Sequence, residues 1–404
     1  MEISVIGQGY VGFPLSIQLA IGNNTVIGLD SSKSKISDIQ NAACNIPGVN
    51  SNQLEKLINS KRYIPTFDPS LISGSDVVIL AVPTPLDKSG NPDTSYLEDA
   101  SKTAAKYAKA NSLIINESTS YPGTLRNLIK PIFDKNSKNH FLFASAPERV
   151  DPANLIWDLK NTPRVVSGLT NEATNKASDL YETFCAQVHK VSSPEVAEAS
   201  KIFENTFRMV NIALVNEFAS IAAKVGFSAQ EAITAASTKP FGFMPFYPSI
   251  GVGGHCIPVD PKYLSYLSKS VGAKSDLIDL AYKINSGMPA VTAQKIKLEL
   301  GGNILNSRIQ IVGIAYKPDV PDVRESPAIE LKIELEKLGA LVSWHDPVVI
   351  DLFGEKSSML NIDIDLGLLV TPHTALDLSP WKLAGTRVID LSANGSSYGW
   401  PKLY

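Results

Sequence analysis

Residues 1–12 read Met1-Glu2-Ile3-Ser4-Val5-Ile6-Gly7-Gln8-Gly9-Tyr10-Val11-Gly12, and the reading of this stretch decides the fold. Residues 3–7 form a short apolar, β-branched run and predict a buried strand. A helical pattern follows over 13–22, and a second apolar run over 25–30 predicts another strand. Strand, glycine turn, helix and strand open a βαβ unit. In that context Gly7 permits the tight turn, Gly9 lets the backbone approach a pyrophosphate, and Gly12 lets the helix pack close to the strand. The helix N-terminus adds unpaired N–H groups and a partial positive charge. Asp30 stands 18 residues after Gly12, at the end of the second strand. A carboxylate there accepts hydrogen bonds from ribose hydroxyls and repels a 2′-phosphate, which favours NAD over NADP. FAD uses a similar turn, and a bare GxGxxG also occurs in α/β proteins that bind neither. The strand, helix and acidic residue together select a dinucleotide.

Outward from this unit, short apolar runs recur at 76–82, 112–119 and 140–148, separated by helix-like stretches. Such alternation predicts a parallel sheet with crossover helices, here a domain over 1–195. The next stretch, 194–225, has no Gly or Pro after Pro194. Ser193 is placed to cap a helix with Pro194 in its first turn. Ile202, Thr206, Met209, Ala213, Asn216 and Ser220 fall on one stripe of that helix. Phe203, Phe207, Val210, Leu214 and Phe218 fall on a neighbouring one. A helix so long and apolar bridges domains or packs against a second subunit. Short helices are expected onward to about 295, split by a Gly/Pro-rich stretch over 240–261, which makes 196–295 a central helical region. From 308 the α/β rhythm returns, predicting a second nucleotide-binding-like domain over 296–404. The expected fold is α/β, with two Rossmann-like doubly wound domains joined by a central helical domain.

A chain of 404 residues with net charge −3 lacks the basic excess of a nucleic-acid binder. No apolar run is long enough to span a bilayer, and the N-terminal stretch lacks the pattern of a signal peptide. Cys44, Cys185 and Cys256 are too scattered for a disulfide framework and fit a reducing cytoplasm.

The most unusual stretch is GVGGHCIPVDP, residues 251–261. Three glycines make room for backbone to approach a ligand, and the cysteine after them reads as a reactive thiol. A turn with an incidental buried cysteine is the plainer alternative. His255 beside Cys256 has no second Cys or His group at ligand spacing, so no metal is expected. Lys201 and Asn205, four apart, share one helix face. On an apolar helix the lysine either snorkels to the surface or is buried to stabilise an alkoxide. Thr119 and Glu148 lie just past predicted strands, where open α/β sheets bind ligands.

Together GQGYVG (7–12), AVPTP (81–85), ESTSYPGT (117–124), APERVDP (146–152), KIFEN (201–205), GVGGHCIPVDP (251–261) and GIAYKPDVPDVRESPA (313–328) resemble the UDP-glucose/GDP-mannose dehydrogenase family. The match runs in order from residue 1 into the C-terminal domain. The resemblance implies oxidation of a sugar-nucleotide C6 alcohol to a carboxylate with NAD, in two successive hydride transfers. It makes Cys256 the nucleophile, capturing an aldehyde as a thiohemiacetal that becomes a thioester. It makes Lys201 and Asn205 oxyanion and water partners, and Thr119, Glu148 and Asp260 the groups that position water and relay protons. It places Gly7, Gly9, Tyr10, Val11, Gly12, Asp30, Lys35, Thr84, Thr119 and Arg324 at the cofactor. Arg149, Lys201, Asn205, Phe246, Tyr247, Gly253 and Lys317 would meet the substrate. ASTKPFGFMPFYP (236–248) followed by GGHCIP resembles the branch that acts on UDP-N-acetylhexosamines, UDP-N-acetylglucosamine foremost. UDP-N-acetylmannosamine, UDP-N-acetylgalactosamine and UDP-glucose are the other sugars of the same chemistry. A non-catalytic sensor of NAD or UDP-sugar is the reading from another class, and a homodimer is expected.

Overall fold

The computed structural model describes residues 1–43, 49–150, 156–393 and 398–404. Cys44 and the last two residues of the 146–152 motif lie outside the described residues. The chain divides into two compact units, Met1–Glu204 with Tyr266–Gly272, and Asn205–Ser265 with Ala273–Tyr404.

In the first unit eight strands form one sheet: β1 (Glu2–Ile6), β2 (Thr25–Leu29), β3 (Tyr63–Thr66), β4 (Val77–Leu80), β5 (Leu113–Asn116), β6 (Leu142–Ser145), β7 (Arg164–Gly168) and β8 (Val188–Lys190). Their spatial order is β3-β2-β1-β4-β5-β6-β7-β8. β1 to β6 are parallel, in Rossmann order. Helices α1 (Gly12–Ile21), α2 (Lys33–Gln40), α3 (Ser51–Asn59), α4 (Ser95–Tyr107), α5 (Lys130–Asn136) and α6 (Asn171–Glu182) supply the crossovers. Alternate strand residues serve opposite faces. Ile3, Val5, Val77 and Ile79 pack with Phe13, Leu15 and Leu19, while Ile6, Val78, Leu80 and Ile114 pack with Leu97, Ala104 and Phe133. Burial on both faces explains why these strands are continuous apolar runs in the sequence. β3, β7 and β8 were not anticipated. β7 runs antiparallel to β6, and β8 at this edge is only three residues long and largely exposed, so it carries little apolar signal.

Helix α7 (Pro194–Val225) has the bounds expected of it, and Val196 N–H points at Ser193 Oγ, 3.4 Å away. Its first stripe is buried: Ile202, Met209 and Asn216 are each 0% exposed. The neighbouring stripe is open only in part: Phe203, Phe207 and Leu214 are exposed, while Val210 and Phe218 are half-buried against core residues.

The second unit contains α8 (Ala229–Ala236), the start of α9 (Asp260–Ser270), α10 (Asp276–Glu299), α11 (Pro327–Lys337) and α12 (Ser379–Ala384). Its sheet uses β9 (Arg308–Val312), β10 (Leu341–His345), β13 (Leu366–Leu369) and β14 (Val388–Asp390), with a small hairpin of β11 (Asp351–Leu352) and β12 (Glu355–Lys356). The order β10-β9-β13-β14 is parallel throughout, a smaller Rossmann-like sheet. Where short helices were expected, α10 runs for 24 residues through Pro289. Proline removes one backbone donor; the buried face of Ala281, Met288, Ala293 and Ile296 holds the helix across it. Among the described residues, no helix is long and apolar enough to cross a membrane.

Candidate active site

The glycine turn after β1 is built as its spacing demands. Gly7 has φ +98°, and a Cβ there would lie 2.3 Å from Ala81 O. A Cβ on Gly12 would lie 2.0 Å from Gly7 O, so this glycine sets the helix–strand approach. Gly9 is different: a Cβ there would meet nothing within 4 Å. α1 begins beside that open space with no side-chain cap and no acidic residue in its first turn. Tyr10 is exposed and Val11 half-buried against the core. Asp30 caps the turn from the end of β2. Its Oδ2 accepts from Gln8 N at 2.9 Å and from Lys35 Nζ at 2.8 Å, and its Oδ1 accepts from Ser32 N at 2.9 Å. An open glycine, an uncapped helix N-terminus and an acceptor-only carboxylate fit the pyrophosphate and ribose of NAD. Gly7, Gly9, Gly12 and Asp30 would hold them.

Gln8, unremarked as a ligand, stiffens this turn from below. Its side chain is 0% exposed, donates to Val5 O at 2.9 Å, and accepts from Tyr63 Oη at 2.8 Å and Ser16 Oγ at 3.2 Å.

Across the same sheet, Thr84 is buried past β4, Thr119 is half-buried past β5, and Glu148 is buried past β6. All three follow strand C-termini, as a ligand edge requires. Glu148 Oε1 accepts from Val150 N. Arg149 pairs with Glu204 at 2.6 Å and donates to Pro163 O at 2.9 Å. Lys201 is only 8% exposed, which decides against a snorkelling surface lysine.

Two buried carboxylates of the first unit escaped the sequence reading. Glu117 lies between Arg164, at 3.4 Å, and the hydroxyl of Tyr181. Burial pushes its carboxyl up, against the pull of the Arg164 charge. Glu198, one turn before Lys201, accepts from Gly123 N at 2.7 Å and Leu125 N at 3.0 Å. Burial pushes it up to about 8 despite those two donors. Glu117 stands inside a quoted motif, but no spacing rule marks either residue.

In the second unit the cysteine loop is irregular from Ser249 to α9. A Cβ on Gly253 would lie 2.9 Å from each of Glu325 O, Pro327 Cδ and Tyr316 Cβ, and one on Gly254 2.7 Å from the Tyr316 ring. The Cβ direction of Gly251 is closed by Asn285 O at 2.9 Å. The room these glycines make is taken by the protein itself, a physical reason different from the one expected. Gly254 N also donates to Arg324 O at 3.1 Å. The loop is pinned from behind by two buried amides. Asn216 Oδ1 accepts from Ser249 N at 2.9 Å, and Asn216 Nδ2 donates to Asn285 Oδ1 at 3.1 Å.

On this support Cys256 is exposed, which rules out the incidental buried cysteine. Its carbonyl accepts from Asp260 N at 2.8 Å, where α9 begins. Asp260 is 3% exposed, and its Oδ2 accepts from Asn205 Nδ2 at 2.5 Å. The structure thus joins Asn205, Asp260 and the cysteine loop. His255 is held below the usual imidazole range by burial and by the Arg324 charge. Phe246 meets Phe207 edge-on, with centroids 5.9 Å apart, and Tyr247 is half-buried beside it. Lys317 is half-buried in the turn after β9. Arg324 is engaged by Asp322 through Nε at 3.0 Å and Nη2 at 2.6 Å.

An exposed thiol at the head of a helix, next to an oriented carboxylate, suits covalent catalysis at a carbonyl. Comparison with known proteins gives the family. Residues 1–185 match the NAD binding domain of the UDP-glucose/GDP-mannose dehydrogenase family, residues 195–287 its central domain, and residues 310–386 its UDP binding domain. The UDP-N-acetyl-D-glucosamine 6-dehydrogenase of Pseudomonas aeruginosa is 34% identical over 86% of this chain and 83% of its own length. The UDP-N-acetyl-D-mannosamine dehydrogenase of Pyrococcus horikoshii is 34% identical over 95% of this chain and 92% of its own. A solved UDP-D-ManNAc dehydrogenase from Pyrococcus horikoshii superposes with a TM-score of 0.87 at 31% identity, covering 99% of this chain and 98% of that one. The chain belongs to the UDP-glucose/GDP-mannose dehydrogenase family and is an NAD-dependent dehydrogenase of UDP-sugars.

Proposed function

We propose that this chain oxidises the C6 hydroxyl of UDP-N-acetylglucosamine to the uronate, with Cys256 as the covalent nucleophile. The observation that carries the reading is the exposed Cys256 thiol four residues before Asp260, whose buried carboxylate is oriented by Asn205. When bound, NAD accepts the hydride that leaves C6 in each of the two oxidations. In the first, the C6 hydroxyl gives up its proton and becomes an aldehyde. The Cys256 thiolate then adds to the carbonyl carbon, and the oxygen takes a proton to give a thiohemiacetal. Loss of the second hydride and that proton leaves a thioester. Water adds, the C–S bond breaks, and carboxylate and thiol are released. Lys201 and Asn205 stabilise the oxygen anions, and Asp260, Thr119 and Glu148 position water and pass protons. Gly7, Gly9, Tyr10, Val11, Gly12, Asp30, Lys35, Thr84 and Arg324 serve the cofactor. Arg149, Phe246, Tyr247, Gly253 and Lys317 serve the sugar nucleotide.

Functionally, residues 1–195 are the NAD domain, 196–295 the dimerisation and catalytic region, and 296–404 the UDP-sugar domain. The exposed stripe of α7 supports a homodimer. The likeness to UDP-N-acetyl-D-mannosamine dehydrogenases favours the C2 epimer as the second reading.

The test is NADH formed per sugar nucleotide consumed, with limiting substrate and excess NAD. About two NADH per UDP-N-acetylglucosamine establishes sugar and double oxidation together. Silence with this sugar, and about two per UDP-N-acetylmannosamine, keeps the mechanism and replaces the substrate. Binding of UDP-sugar without NADH from any sugar of the panel overturns the enzyme reading.

A further inference from the structure

The segment that carries Lys317 is fixed at nearly every residue. Gly313 N donates to His345 O at 2.9 Å, and Tyr316 N to Asp322 O at 3.0 Å. Ile314 N and Ala315 N both donate to Asp346 Oδ2, at 2.7 and 3.0 Å. At the far end Asp319 sits at φ +62°, a conformation that non-glycine residues keep only when the surroundings enforce it. Two contacts enforce it. Asp319 Oδ1 accepts from Thr374 N and Oγ1 at 2.8 and 3.0 Å, and Asp319 N donates to His373 Nδ1 at 2.9 Å.

His373 is 4% exposed. Because Nδ1 accepts a backbone N–H, the ring carries its hydrogen on Nε2, which donates to Asp346 Oδ2 at 3.1 Å. The other oxygen of Asp346 accepts from Val348 N and Val349 N, both at 2.9 Å. One carboxylate therefore holds the start of the 314–319 segment directly and its end through an imidazole. A buried polar chain of this kind is costly unless each member is satisfied, and once satisfied it permits a single backbone geometry. An apolar side chain at 373 would fill the same space but leave Asp319 N–H without its imidazole acceptor.

We propose that His373 is a positioning residue for the sugar nucleotide: through Asp346 and Asp319 it sets the backbone on which Lys317 is presented. The proposal rests on Lys317 holding the nucleotide, as argued above. It does not depend on which sugar is attached.

The test uses the full chain, with UDP and NAD affinities measured by calorimetry and melting as the control for folding. In His373→Leu the Kd for UDP is expected to rise about tenfold, with the Kd for NAD unchanged. His373→Asn, whose Oδ1 still accepts from Asp319 N–H, should recover part of the loss. A general loosening of the fold would weaken NAD as well, and that result overturns the proposal. Lys317→Ala is measured alongside. If it loses UDP while folded His373→Leu binds UDP like the wild type, the inference falls and the role of Lys317 stands. If Lys317→Ala itself binds UDP like the wild type, that role falls and the inference with it. Should the leucine variant not fold, Asp319→Ala loosens the same segment from an exposed position. Wild-type UDP affinity there also overturns the proposal.

Discussion

Asn205 Nδ2 stands 2.5 Å from Asp260 Oδ2, so the long helix orients the carboxylate at which α9 begins, four residues beyond Cys256. Asp260 is nearly fully buried, and removing the amide takes away a donor that water does not readily replace. Asn205→Ala is therefore expected to lower kcat by about 10²-fold with only a small fall in Tm. Asn205→Asp should do worse on both counts, since it sets two carboxylates side by side. Steady-state rates and melting on the same samples check this, and a wild-type kcat in Asn205→Ala would remove Asn205 from the reaction.

Cys256 is exposed, whereas Cys185 is buried and its thiol is pushed up by that burial. Iodoacetamide should label Cys256 well before Cys185, with NADH production lost in step with that label. Cys256→Ser should cost about 10³-fold or more in acid formation, with NAD affinity kept. Acid formation at the wild-type rate by the serine variant would sink the covalent route.

Gly9 and Gly12 belong to one motif but should fail differently. At Gly12 an added methyl meets Gly7 O at 2.0 Å, so Gly12→Ala strains the turn and should lower Tm. At Gly9 an added methyl meets no protein atom, so Gly9→Ala should fold like the wild type and bind NAD less tightly. Melting curves with and without NAD separate the two. Equal NAD-induced shifts in Gly9→Ala and the wild type would mean that the open space beside α1 is not the cofactor's.

That contrast marks how far sequence reasoning reaches. Gly7, Gly12 and α7 were legible because each obeys a local rule: a turn, a close approach, an uninterrupted apolar period. Cys256 stood out because three glycines precede it, although the reason for those glycines lies far downstream, in Asn285 for Gly251 and in Tyr316, Glu325 and Pro327 for Gly253 and Gly254. Glu198 and His373 were not legible. Each is defined by backbone groups far along the chain, Gly123 and Leu125 for one and Asp319 for the other. No periodicity encodes such a pairing. The edge strand β8 was lost for a simpler reason, since three largely exposed residues bury too little apolar surface to write a pattern.

The open stripe of α7 carries the assembly prediction. Phe203 and Leu214 are 67% and 62% exposed, while the neighbouring stripe of the same helix, through Ile202, Met209 and Asn216, is buried. An exposed apolar row of this length marks an interaction surface. Phe203→Glu with Leu214→Glu should convert a dimer to a monomer in sedimentation at micromolar concentration. A wild-type chain that sediments as a monomer there would remove the homodimer.

Glu198 gives the chain a dependence of stability on pH. Its carboxyl is raised by burial to about 8 in the folded protein, against an ordinary value of 4.5. Between those values the folded state keeps a proton that the unfolded chain has lost. The contribution is therefore complete below the unfolded value and drains away as pH rises through the folded one. Glu195 acts in the opposite sense and in another window. The hydrogen bond from Arg126 holds it down at about 2, so its contribution is steady above the ordinary carboxylate range and is lost only in acid. Glu198→Gln cannot ionise, and its Nε2 faces a backbone N–H where the carboxyl offered an acceptor. The variant should be less stable than the wild type at about pH 5.5 and approach it by about pH 8.5, its Tm varying less over that range. Parallel Tm profiles for the two proteins would mean that Glu198 titrates as an ordinary carboxylate. The clamp on Gly123 and Leu125 would then be ionic throughout that range.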